Sequence, residues 1–236
     1  MTATAANGPR SRQGHEAPCR NGYAWLSWQT ATVTDMSIAS TPTWPYPPPG
    51  GWVADDLDHV GTEGPYGELD LLKRVELIDG ALVIMSPQTA WHRAVIDLIV
   101  RSLEAQVPPD LAATSEMDVK LGPRQRPVPD VLVITAAAAA DLTRTFYEPS
   151  EVRLIVEVVS DESVLRDRER KPQLYARANI PCFWRIENAD SRPVAYTFER
   201  DPATALYAPT GIFHDRIKVS MPFPVDLDLT PIGRPA

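Results

Sequence analysis

Leu154-Ile155-Val156-Glu157-Val158-Val159 reads as a β-strand with a carboxylate set among branched apolar residues. Pro129-Asp130-Val131-Leu132-Val133-Ile134 reads the same way, with its acid at the start of the run. β-Branched runs bounded by turn residues are the strand signature. Alternation puts Ile155, Glu157 and Val159 on one face of the first strand, and Asp130, Leu132 and Ile134 on one face of the second. Burying such a charge is costly unless something binds it. Neighbouring strands would bring both carboxylates to one end of a sheet, where they can hold a divalent metal ion. Lys171 follows in Asp167-Arg168-Glu169-Arg170-Lys171-Pro172. A helix packed through Leu174, Tyr175 and Ala178 aims Lys171 at the sheet. The competing reading makes Asp130 a turn residue after proline, pairs Glu157 with an arginine across the sheet and leaves Lys171 in solvent.

Outward from these runs, Val53–Val60 is expected as a short helix. Asp79-Gly80 between Val75–Ile78 and Ala81–Met85 signals a type I′ hairpin. Gln88–Val107 has Trp91, Val95, Leu98, Ile99 and Leu103 at helical spacing and ends at Pro108-Pro109. Further strands are expected at Glu116–Leu121, Asp130–Thr135, Val152–Val159, Cys182–Glu187 and Val194–Arg200. Ala136–Ala140 reads as a helical turn and Ser160–Asn179 as helical at least in its second part. Pro172 suits a first helical turn. Short strands and proline-rich turns complete the C-terminal part.

Residues 1–50 are rich in Ala, Thr, Ser, Gly and Pro and read as a disordered tail, extended over Pro42–Gly51. Residues 51–230 read as the folded domain. Met36 is an alternative start for the chain. The 236 residues are 44% hydrophobic, enough for a real core, and carry a formal charge of −8. No run is long and apolar enough for a membrane helix, and the first 35 residues show no h-region of a signal peptide. Cys19 and Cys182 lie far apart, so Cys182 is expected as a reduced, inert thiol and the protein as cytoplasmic. An acidic chain does not grip nucleic acid by net charge, so contact needs local patches. Lys120, Arg124 and Arg126 form one candidate. Arg166, Arg168, Arg170, Lys171 and Arg177 against Asp167 and Glu169 form another; both also read as solvated faces.

Ser86 and Ser160 lack a nucleophile-elbow context, and no glycine loop of the Walker or dinucleotide type is present. Other segments do form a recognisable series: Glu76-Leu77-Ile78-Asp79-Gly80 with Ser86-Pro87, His92, Pro129-Asp130-Val131, Glu157-Val158-Val159-Ser160, Asp167-Arg168 with Lys171 and Tyr175, and Ile180-Pro181-Cys182-Phe183-Trp184. In this order they resemble the Uma2 family, grouped with restriction endonucleases of the PD-(D/E)xK superfamily. The resemblance implies an α/β (α+β) fold: a restriction-endonuclease-like core with a central mixed β-sheet flanked by helices. It implies Asp130 and Glu157 as ligands of Mg2+ or Mn2+. The superfamily's usual lysine stands two residues after the second acid, where this chain has Val159. The resemblance moves that role to Lys171. Glu76 is a further candidate for the acidic cluster, or else an exposed hairpin charge. His92 lies near the family's equivalent histidine, and a structural role is favoured over a catalytic one. The expected function is a metal-dependent endonuclease hydrolysing DNA. Two sites in a homodimer would cut both strands, with Val194–Phe198 as an apolar edge for the contact. The alternative is a non-catalytic nucleic-acid-binding or assembly module on the same fold.

Overall fold

The computed structural model describes residues 47–59 and 75–233. Most of the expected tail, and Met36, lie outside the described residues. Pro47–Gly51 is not extended throughout: the Gly51 amide donates to the Pro48 carbonyl and closes a turn.

A six-stranded sheet forms the centre, in the order β10-β9-β8-β7-β5-β3. The two decisive runs are its neighbouring inner strands, β5 (Val131–Thr135) and β7 (Val152–Val158). They pair antiparallel, with Val131 opposite Val156. β8 (Cys182–Ala189) lies parallel to β7, which makes the sheet mixed. β9 (Arg192–Asp201), β10 (Leu206–Phe213) and β3 (Leu111–Ser115) join antiparallel. A parallel pair needs a crossover connection, and the chain from β7 to β8 supplies one that contains the helix α3 (Lys171–Arg177).

Both faces of the sheet are covered, which is why its inner strands read as nearly continuous apolar runs. On one face Val131, Val133, Leu154, Val156 and Val158 pack with Val95, Ile96, Ile99 and Leu103 of α1 (Ala90–Glu104). The hairpin β11 (Arg216–Val219) and β12 (Val225–Asp228) closes the same core with Ile217, Val225 and Leu227. On the other face Leu132, Ile134, Ile155 and Phe183 pack with Tyr175 of α3 and Ala138 of α2 (Ala136–Ala139).

The first hairpin stands apart from this sheet. Among the described residues, β1 (Val75–Ile78) and β2 (Ala81–Ile84) pair only with each other as strands. Asp79 and Gly80 both have positive φ, 54° and 79°, as a type I′ turn requires. Reciprocal backbone hydrogen bonds between Leu77 and Arg126 fasten the hairpin to the loop before β5. Arg126 is buried and its guanidinium holds Asp118, Asp58 and the Ala54 carbonyl. It therefore anchors the 3-10 helix Ala54–Asp58, the short helix expected there.

Several boundaries differ from expectation for identifiable reasons. The run Glu116–Leu121 holds only the two-residue strand β4 (Asp118–Val119), paired with β6 (Phe146–Tyr147), because Glu116 has φ 53° and breaks the extended backbone. The outer strand is instead β3, whose Leu-Ala-Ala-Thr-Ser sequence has little β-branching to mark it. Val194–Phe198 is not an edge: β9 lies between β8 and β10, so the expected dimer contact there is already occupied within the chain. Cys182 is buried and free, and burial pushes its thiol up to about 12, as an inert thiol requires.

Candidate active site

Antiparallel register sets the site. Since Val131 faces Val156, Asp130 and Glu157 follow at the same end of the sheet, on the face shared with Leu132 and Ile155. Asp130 is fixed there by the Val158 amide, which donates to its Oδ2 at 2.6 Å. The chain after β7 turns over through Ser160 and Ser163 into a π-helical turn, Arg166–Arg170, that runs directly into α3. Wide turns of this kind cluster at functional sites. Leu174 and Tyr175 bury one side of α3, and this carries Lys171 inward over the sheet.

The lysine reaches the acids. Lys171 Nζ lies 2.7 Å from Glu76 Oε1, 3.3 Å from Glu157 and 3.4 Å from Asp167 Oδ1. Glu76 comes from β1, and its Oε1 also accepts the Val128 amide at 3.0 Å. His92, in the first turn of α1, places Nε2 3.4 Å from Asp130 Oδ2. Tyr175 Oη donates to Glu157 Oε1 at 2.5 Å. Glu76, His92, Asp130, Glu157, Asp167 and Lys171 surround one small cavity, and none is more than 7% exposed.

Both bland alternatives for these residues fail on geometry. Arg185 is the residue opposite Glu157 on β8, but its Nε lies 2.7 Å from Glu187, while Glu157 meets Lys171 and Tyr175. Lys171 and Glu76 are buried rather than exposed. Asp167, read as part of a charged run, and Tyr175, read only as a packing residue, prove to line or touch the site, as does His92. For Asp167 and Tyr175 the available signal was the i, i+4, i+8 series Asp167, Lys171, Tyr175, which places these three along one side of a helix.

Three buried carboxyl groups, those of Glu76, Glu157 and Asp167, face a single ammonium, and a fourth, that of Asp130, lines the same cavity. Burial opposes the charge of Lys171, but the carboxylates of Glu157, Glu76 and Asp167 outweigh it and hold its pKa well above the usual lysine range. The surplus falls on the acids. Burial pushes Glu157 well up against the attraction of Lys171, and burial also raises Asp167. Asp167 Oδ1 has no hydrogen-bond partner despite being buried. For His92 burial lowers the pKa, but the hydrogen bond and charge of Asp130 more than offset it and the net shift is upward. An all-oxygen, over-acidic cluster is the donor chemistry that suits a hard divalent cation. Among the described residues no group of three or more His, Cys, Asp or Glu side chains is placed to hold a metal ion. A hard divalent cation held by only one or two carboxylates would have to keep water in the rest of its shell.

Two features limit access. The cavity measures about 20 Å³. That is room for one water, against about 300–1,000 Å³ for a small-molecule pocket. The nearby cations are also spent. Arg166 pairs with Glu162, Arg168 with Glu187, and Arg170 with Asp79. Lys120 pairs with Asp55, and Arg126 is buried with two aspartates. Most cations of both basic runs are thus already paired with acids, while Arg124 donates to the Gly50 carbonyl.

Comparison with known proteins bears on this geometry. The Uma2 family model, described as "Putative restriction endonuclease", matches residues 66–231. A solved structure from Anabaena variabilis, described as a "putative nuclease belonging to DUF820", superposes with a TM-score of 0.51 at 15% identity. The match covers 63% of this chain and 81% of the other. At that identity it shows a common fold. Comparison with curated proteins finds no match.

Proposed function

Because the chain belongs to the Uma2 family, we propose that it is a metal-dependent endonuclease that hydrolyses phosphodiester bonds in DNA. The observation that carries this reading is the meeting of Glu76, Glu157 and Asp167 around one buried lysine, with Asp130 on the same cavity. Asp130 and Glu157 hold the ion, Mg2+ or Mn2+. When bound, such an ion lowers the pKa of water and neutralises charge on a scissile phosphate. Lys171 keeps its proton, so it acts as a fixed positive charge that orients the attacking water and stabilises developing negative charge. Glu76 and Asp167 hold the lysine in that position. Val159, where the superfamily's lysine would stand, leaves this charge to α3 alone.

The acting form is a homodimer, since two sites cut both strands of a duplex. Its contact is proposed at the exposed outer strand β10, where Leu206 and Ile212 are open to solvent. No described helix is long and apolar enough to cross a membrane. A cytoplasmic location fits the inert Cys182 thiol and access to DNA.

A second reading, a non-catalytic nucleic-acid-binding or assembly module, is favoured by the small cavity. One experiment separates the two: plasmid nicking with purified protein in Mg2+ or Mn2+, against EDTA. Metal-dependent nicking that disappears in both Asp130→Ala and Glu157→Ala, each with wild-type circular dichroism, is the expected result. Equal nicking by wild type and both variants would remove these residues from the site. No nicking, with no Mn2+ uptake at millimolar concentration, would leave the second reading.

A further inference from the structure

We propose that Tyr175 is a positioning residue that fixes the Glu157 carboxylate for cation binding. The inference rests on the metal reading of the site and adds to it a residue with no direct part in the chemistry. Glu157 is an acid on a rigid inner strand, yet its carboxylate can still rotate about the end of its side chain. Lys171 restrains it weakly, since it donates to Oε2 at 3.3 Å and lies equally far from Oε1. Tyr175 restrains it more closely, because its hydroxyl donates to Oε1 alone.

The tyrosine is well suited to this. It is fully buried, and its ring packs 6.0 Å from Phe183 between α3 and the sheet. With Oε1 engaged by Tyr175, Oε2 is the oxygen turned to the cavity, where it already accepts from Lys171. A partner of this kind behind a metal-binding carboxylate is worth about 10–100-fold in metal affinity. The helix that delivers Lys171 thus also orients the acid with which that lysine shares the cavity.

The test compares Tyr175→Phe with Phe183→Leu. The first removes only the hydroxyl and keeps the ring. The second disturbs the same apolar cluster without touching Glu157. Mn2+ binding is measured by calorimetry on full-length protein, with circular dichroism to confirm the fold. Tyr175→Phe is expected to weaken Mn2+ binding about 10–100-fold, and Phe183→Leu to leave it unchanged. Where nicking is present, raising Mn2+ should restore the rate of Tyr175→Phe, since the defect lies in ion binding. Wild-type affinity in Tyr175→Phe, or an equal loss in Phe183→Leu, would overturn the proposal. The hydrogen bond is read separately, without metal, from the 13Cδ resonance of Glu157 at one fixed pH. It should move in Tyr175→Phe only. If the wild type binds no Mn2+, the metal reading fails and the positioning role with it. A moved resonance then attributes the failure to the metal reading rather than to the contact.

Discussion

Lys171 is the residue whose surroundings depart furthest from what its neighbours in sequence suggest. It sits in a run of charges, Asp167-Arg168-Glu169-Arg170-Lys171, that reads as a solvated helix face. Its side chain is instead buried against three carboxylates from β1, β7 and its own helix. Removing one partner of a buried ionic cluster leaves uncompensated charge, at a cost of about 3–5 kcal/mol. Lys171→Met should therefore lower the unfolding free energy by about that amount in urea titrations without metal. If the acids also take a divalent cation, millimolar Mg2+ should recover part of the loss in this variant. Glu157 was legible as an anomaly because a carboxylate inside an apolar run demands a partner. Asp167 was not, because one acid among alternating charges carries no such demand.

At the scale of elements, β1–β2 matters most, because it brings Glu76 to a site otherwise built on the main sheet. Its turn geometry is local and was readable from Asp79-Gly80. Gly80 has φ 79°, and an added Cβ would meet the end of the Arg124 side chain at 2.2 Å. A left-handed backbone costs a residue with a Cβ roughly 1–2 kcal/mol. Gly80→Ala should lose about that much stability in chemical denaturation, with further loss if Arg124 cannot swing aside. Arg170 on the π-helical turn grips Asp79 of the hairpin, while Lys171 beside it grips Glu76. The hairpin and the start of α3 are thus joined at two points over the cavity. No local pattern announces these contacts: Asp79 and Arg170 are 91 residues apart.

Over the whole molecule, charge is arranged to cancel rather than to attract DNA. The formal charge is −8, and the arginines nearest the site are paired with acids. Salt dependence of DNA binding counts the phosphates neutralised, with a slope of about −0.9 per contact. For this protein the slope of log K against log salt should be shallow, no steeper than about −3. Fluorescence anisotropy across a salt series checks this; a slope near −8 would mean that the ion pairs open to grip the backbone. The sequence by itself determined the strands β5 and β7, the faces on which their side chains lie, the Asp79-Gly80 turn and the family, because strand period, turn chemistry and motif order are local properties. Tertiary structure alone decided that Glu76, Asp130, Glu157, Asp167 and Lys171 share one cavity, and that Arg126 is a buried anchor rather than part of a basic patch. Antiparallel register aligned two of those acids; packing of α3 and the first hairpin supplied the rest. Such contacts depend on which distant surfaces bury each other, and residue type and spacing leave that choice open.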